Sequence, residues 1–217
     1  MDKFGLPEME KMSSSELLTN IFTSGKIPTF SCVFKDLCVG WIDIVDSTKI
    51  TSRLPQSKIS PFFCLFLSQM SSIIRESGGI VVKNSGDSLL FYFPNISDSD
   101  RNTLVNAVEC GIKLLEHRRI LNSLMLEIGL PTIEYRVSLD YGEVSISKAE
   151  GSQSDDIFGA TVSFCAKMNK VTRPNSVVIG GDLRQMIKSY DGFGFEFLSE
   201  YNSGQKFNYP LYNVKCI

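Results

Sequence analysis

The chain of 217 residues has one histidine, His117, one tryptophan, Trp41, and almost no charge imbalance. Its 22 lysines and arginines face 24 aspartates and glutamates, a formal net charge of −2. A single histidine excludes a multi-histidine metal centre. The near-neutral balance argues against a nucleic-acid binder, which needs a basic face. Long apolar runs are also missing: the longest is about seven residues, Pro61 to Leu67, against the roughly 18 to 20 that a membrane-spanning helix requires. No membrane span is therefore expected. The start, MDKFGLPEMEKM, mixes charges of both signs and lacks the apolar stretch of a secretory signal, so the expected location is cytoplasmic. None of the six cysteines (Cys32, Cys38, Cys64, Cys110, Cys165, Cys216) forms a C-x-x-C pair, and most lie in apolar sequence. Reduced, buried thiols are expected rather than a disulfide framework.

What is present is core-forming material. Hydrophobic residues make up 43% and charged residues 21% of the chain, the composition of one ordinary globular domain with a short appendage. Residues 1–36 read as that appendage, an N-terminal helical segment with Ser13-Ser14-Ser15 before Leu17, Leu18, Ile21 and Phe22, and Gly25 and Pro28 after them. Residues 37–217 read as the main domain. It opens with Leu-Cys-Val-Gly-Trp-Ile-Asp-Ile-Val, a buried strand broken by one acid. A helix from about Lys58 to Gly78 follows, with Ile59, Phe62, Phe63, Phe66, Met70, Ile73 and Ile74 at helical spacing. Ile80-Val81-Val82 and Leu89 to Phe93 read as a hairpin around Asn84-Ser85-Gly86-Asp87-Ser88. Asp100 is placed to cap a second long helix through Leu104, Val105, Val108, Ile112 and Leu115. Strands are expected at Glu134 to Leu139 and Val144 to Ser147, separated by a turn at Asp140-Tyr141-Gly142-Glu143, then a helix from Gly159 and a strand at Val177-Val178-Ile179. A closing hairpin joins Phe193 to Leu198 with Leu211 to Val214 through a turn at Gly204. The order strand, helix, strand, strand, helix, strand predicts an α+β fold, a ferredoxin-like split βαβ sheet covered by helices.

Two acids carry the chemistry. Asp43 interrupts a strand that otherwise favours apolar residues, and a carboxylate there is costly without a cation or hydrogen-bond donors. Asp87 sits at a hairpin tip that the split βαβ layout brings beside the end of the first strand. Two converging carboxylates beside the Ile44 carbonyl suit Mg²⁺, which takes oxygen ligands and shares its shell with phosphates. The turn Val45-Asp46-Ser47-Thr48 is placed to face those phosphates with its N–H groups. Taken singly, Asp43 reads as the partner of a lysine and Asp87 as a turn residue; the pair in this order of elements points to metal.

At these residues the sequence resembles the catalytic domain of class III adenylate and guanylate (nucleotidyl) cyclases. The motif aromatic-x-D-I-x-G-x-T is similar to Trp41 to Thr48, with Asp46 where glycine is usual, and K-x-x-G-D is similar to Lys83 to Asp87. R-x-G-x-x-x-G-x-V resembles Arg136 to Val144, with Ser138 for the first glycine. D-x-W-G-x-x-V-N-x-A-x-R resembles Asp156 to Lys167. The resemblance implies a homodimer with two active sites between subunits. Asp43, Asp87 and the Ile44 carbonyl of one chain would hold two Mg²⁺ or Mn²⁺ ions, with Ser47 and Thr48 near the phosphates. The other chain would supply Lys83 and Asp156 for the base, Phe158 beside them, and Ser163 and Lys167 at the positions of the family's transition-state asparagine and arginine. Lys206 matches a phosphate-binding lysine of the family's C-terminal arm. Lys83 and Asp156 match the adenine donor and acceptor pattern, so the substrate implied is ATP, converted to the 3′,5′-cyclic monophosphate and pyrophosphate.

Ser163 and Lys167 lack the amide and the planar guanidinium fork of the residues they replace. The site is then expected to be slow or to use another group such as Lys170, Arg173 or the tail residue Lys206, and two alternatives stand beside an ATP cyclase: a pyrimidine nucleotide cyclase of the antiphage-signalling kind, and a nucleotide-binding regulatory module with impaired turnover. A diguanylate cyclase or polymerase palm shares the layout, but no G-G-[DE]-E-F hairpin is present: Gly86-Asp87-Ser88 has one acid.

Overall fold

The computed structural model describes residues 30–94, 101–149, 155–202 and 208–216. The helix expected within the first 29 residues, the Asp100 cap, the Gly204 turn and Lys206 lie outside these. In chain order the elements are β1 (Phe30–Ile44), α1 (Ser47–Thr51), α2 (Gln56–Glu76), β2 (Ile80–Ser85), β3 (Ser88–Phe93), α3 (Arg101–Glu116), α4 (Arg118–Glu127), β4 (Tyr135–Ala149), β5 (Asp156–Phe158), α5 (Ala160–Val171), β6 (Val177–Gly180), α6 (Gly181–Met186), β7 (Phe193–Asn202) and β8 (Asn208–Cys216).

The strands form one sheet in the order β2-β3-β1-β4-β6-β8-β7, with β5 pairing β4 at its side. Its first four strands are the expected split βαβ unit. β1 lies antiparallel to both β3 and β4, and only the β4 to β6 pairing is parallel.

The period of two along each strand sorts the side chains onto two faces. Cys38 and Ile42 of β1, Leu89, Phe91 and Phe93 of β3, and Val137 and Leu139 of β4 pack under Phe62, Phe66, Met70 and Ile74 of α2 and the apolar stripes of α3 and α4. The alternate residues, Leu37 and Val39, Leu90 and Tyr92, meet Cys165 and Met168 of α5. Asp43, Ser88, Arg136, Ser138 and Asp140 keep the parity of this second face. Gly40 belongs where it is because the Phe91 ring lies 2.2 Å from where its Cβ would stand, so a side chain there would displace the ring.

Three expectations change. β1 begins at Phe30, seven residues before Leu37 and inside the expected appendage, because β4 offers it backbone partners as far as Ala149. The expected turn at Asp140 to Glu143 is absent. β4 runs unbroken from Tyr135 to Ala149, and Val39 pairs with Asp140 and Leu37 with Gly142. Asp140 reads as a turn residue by its type, but tertiary bonds hold it in the strand: Tyr209 Oη donates to both of its oxygens at 2.9 and 3.2 Å, and the Tyr141 N–H at 2.9 Å. Of the cysteines, Cys38, Cys110 and Cys165 are buried free thiols, while Cys32 and Cys64 are exposed. Among the described residues no helix is long and apolar enough to cross a membrane.

Candidate active site

Asp43 is the last but one residue of β1, with Ser88 opposite it on β3 and Arg136 opposite it on β4. Asp87 precedes Ser88 in a two-residue hairpin whose other member, Gly86, has φ 65, a left-handed conformation that glycine adopts without strain. This register brings the two carboxylates together, as expected from sequence. Burial and then the Asp87 charge push the half-buried Asp43 carboxyl up from 3.8 to about 6, with a hydrogen bond to Asp87 adding to the rise; Arg136 and Lys170 pull the other way. Both acids line an open cavity of about 490 Å³ with Ile44, Asp46, Ser47, Thr48, Lys49, Ser52 and Arg136.

Repulsion between two carboxylates at one cavity is what a cation relieves. The donor set here is all oxygen: two acids and the Ile44 carbonyl. Among the described residues no group of three or more His, Cys, Asp or Glu side chains forms a metal cage. An incomplete oxygen set fits Mg²⁺ or Mn²⁺ better than Zn²⁺, since these ions keep water and phosphate oxygens in their shells.

Asp46 stands at the N-cap position of α1, but with φ 55 and no side-chain capping bond. An aspartate just before a helix suits a cap by type and position, but here its side chain does not serve as one. The left-handed backbone explains why glycine suits this position, and aspartate is among the residues that tolerate it. The exposed carboxylate then lies on the cavity wall.

The other expected site residues form a separate group. Lys83 Nζ on β2 pairs with Asp156 Oδ2 on β5 at 2.6 Å, both about half exposed. Phe158 follows on β5 and is 49% exposed. Ser163 and Lys167 lie one turn apart on α5, both exposed. None of these five lines the Asp43 cavity. The acids near the end of β1 thus stand apart from the lysine–aspartate pair and the exposed ring near β5.

Sequence reasoning assigned no role to Arg136. The signal was present, since Arg136 interrupts an apolar strand as Asp43 does, and the β1–β4 register makes the two neighbours. Arg136 lines the cavity, and its Nη1 donates to the Lys170 carbonyl at 3.1 Å. Lys49 lines the same cavity.

The profile of the family described as "Adenylate and Guanylate cyclase catalytic domain" matches residues 31–207, and the chain belongs to this family. An adenylate cyclase from Streptomyces coelicolor is 24% identical over 147 residues, which are 68% of this chain and 33% of that protein. The chain thus spans about a third of the length of the curated relative it matches. Among solved structures, the adenylyl cyclase CyaB from P. aeruginosa superposes with a TM-score of 0.77 at 20% identity, over 86% of this chain and 97% of that one. The catalytic core of a rhodopsin-guanylyl cyclase with converted specificity, in complex with ATPαS, superposes with a TM-score of 0.72 at 20% identity, over 87% and 99%. At these identities the structural likeness establishes the fold.

Proposed function

We propose that the protein converts a nucleoside triphosphate, ATP in first place, to its 3′,5′-cyclic monophosphate and pyrophosphate, at two sites shared across a homodimer. The convergence of Asp43 and Asp87 on one cavity with Arg136 carries this reading. Asp43, Asp87 and the Ile44 carbonyl would hold Mg²⁺ or Mn²⁺, two ions per site, and these would supply neutralisation of phosphate charge and a lowered pKa for the ribose 3′-hydroxyl. Arg136 and Lys49 place positive charge on the same wall for the triphosphate, and Ser47 and Thr48 offer hydroxyl donors beside it. The 3′-oxygen bonds to the α-phosphorus, the α–β anhydride bond breaks with its electron pair leaving on pyrophosphate, and the hydroxyl proton passes to water.

The half-sites within one chain are separate, so a complete site needs a second copy. The partner brings Lys83 to donate to adenine N1 and Asp156 to accept from its amine. Their 2.6 Å ion pair opens when the base enters. The exposed Phe158 closes over the base, Ser163 and Lys167 face the α-phosphate, and Lys206, outside the described residues, is the candidate for the terminal phosphates. The pairing of β1 with β4 from Phe30 onward supports a catalytic unit that includes residues 30–36.

A second reading rests on α5. With a serine and a lysine at positions 163 and 167, the chain binds nucleotide but turns it over slowly or not at all, as a regulatory module. Complementation separates the two. Asp43→Ala and Lys83→Ala are each expected to be inactive. Mixed in equal amounts they form heterodimers with one intact site, and activity returns to about a quarter of wild type. A mixture as dead as its parts contradicts the shared-site cyclase.

A further inference from the structure

Two buried polar side-chain atoms without a hydrogen-bond partner are Arg136 Nε, a donor on a residue that lines the Asp43 cavity, and Asn169 Oδ1, an acceptor. A buried polar group without a partner is uncommon and calls for a physical account. These two belong to residues already bonded to each other, since Asn169 Nδ2 donates to the Arg136 carbonyl at 3.1 Å and to the Trp41 carbonyl at 3.1 Å. The orientation of the amide is fixed by this pair. Turning it over would set Oδ1 against two carbonyl oxygens, so Oδ1 must face away from them. Asn169, 1% exposed on α5, thereby clasps β1 two residues before Asp43 and β4 at Arg136 itself. The Arg136 guanidinium meanwhile rests on the next residue of α5, through Nη1 to the Lys170 carbonyl.

We infer that Asn169 is a positioning residue for Arg136: its free Oδ1 receives the Arg136 Nε–H when the guanidinium fork leaves the Lys170 carbonyl and turns onto phosphate oxygens. The inference rests on the proposed function for the phosphate end only and is independent of the base. In the structure as it stands, the guanidinium spends a donor on a backbone carbonyl that a phosphate, as a charged acceptor, would outcompete. Once Nη1 is released, Nε–H to Oδ1 fixes the plane of the fork with its two Nη groups facing the cavity. A planar fork is useful only in a defined orientation; of the two buried amide oxygens without a partner, Asn169 Oδ1 and Asn175 Oδ1, Asn169 Oδ1 belongs to the amide that already bonds the Arg136 carbonyl. Asn169 has no predicted contact with substrate and is therefore not a catalytic residue.

The test is a double-mutant cycle read on Mg²⁺–tripolyphosphate, a probe without base or ribose, by calorimetric titration of the full chain. Arg136→Lys puts a methylene where Nε stands and keeps the charge. In the wild-type background, Asn169→Ala weakens probe binding about tenfold; in the Arg136→Lys background it has no further effect on binding. Urea stability falls by the same amount in both backgrounds, because the clasp on the two carbonyls is lost equally. If Asn169→Ala does not fold, Asn169→Thr keeps a hydroxyl donor for one carbonyl and fills the space without an amide acceptor. Equal losses of probe binding in both backgrounds, or none in either, overturn the positioning role. Absence of probe binding to the wild-type chain overturns it together with the phosphate half of the proposed function, whereas probe binding without any nucleotide cyclisation leaves the positioning role to be decided by the cycle alone.

Discussion

Asp140 is 3% exposed in the middle of β4. Burial pushes its carboxyl up from 3.8 to about 7, against the pull of bonds from the Tyr141 and Leu183 N–H groups and Tyr209, with the charge of Asp182 adding to the rise. The native state therefore holds this proton where the unfolded chain releases it, so stability is greatest at low pH and falls as pH rises through about 7. About three pH units separate the native and unfolded values, and each is worth about 1.4 kcal/mol. Integrating between pH 5 and pH 8 gives a loss of about 2–3 kcal/mol from this group. With an m-value of about 2 kcal/mol/M for urea, the unfolding midpoint should drop by about 1 M more in wild type than in Asp140→Asn over that interval. The measurement is urea unfolding of both proteins at pH 5, 6, 7 and 8 with a chelator present, so that metal at Asp43 and Asp87 does not intervene. Asp43 also titrates near 6 but is common to both proteins and cancels. The variant is expected to be the less stable at pH 5, since an asparagine cannot accept from every donor that Asp140 satisfies, and to close the gap or overtake by pH 8. Parallel pH profiles for the two proteins would refute the account of Asp140 as a proton held by burial.

Relief of the Asp43–Asp87 repulsion predicts that Asp87→Asn raises the melting temperature of the metal-free protein while abolishing the upward shift that Mg²⁺ gives wild type, both read by a thermal melt with and without the ion. Lys83→Ala should cost under about 1 kcal/mol of stability, because its ion pair with Asp156 is half exposed, yet leave the variant on its own without measurable cyclisation of ATP; a stability loss with unchanged activity would place the pair outside the base pocket. Restoring the amide and the fork by Ser163→Asn with Lys167→Arg is expected to raise kcat by about 10²-fold, and an unchanged kcat would mean that α5 does not face the reacting phosphate.

The β1 acid, the hairpin acid and their meeting were legible because the split βαβ order and the period of two leave few ways to arrange them. A carboxylate in an apolar strand is conspicuous, and so was Asp43. Arg136 was legible by the same rule but went without a role until the register placed it opposite Asp43. The unbroken β4 was not legible. Asp140-Tyr141-Gly142 carries local turn preference, and what overrides it is distant in sequence: the Tyr209 hydroxyl and the full length of β1. Asp46 reads as a helix cap by type and position, but a left-handed backbone points its side chain elsewhere. Asn169 gave no signal at all, since a single asparagine late in a helix acquires meaning only from the two carbonyls it faces.

The central claim is tested most directly by incubating the purified chain with ATP, GTP, CTP and UTP in turn, with Mg²⁺ and with Mn²⁺, and identifying the products by mass spectrometry beside an Asp43→Ala control. The account predicts cyclic AMP and pyrophosphate in equal amounts from the wild-type chain and neither from the control. A cyclic pyrimidine product would keep the metal and phosphate assignments and overturn the adenine pocket. Nucleotide binding with no cyclic product from any of the four would contradict the cyclase assignment and leave the regulatory module.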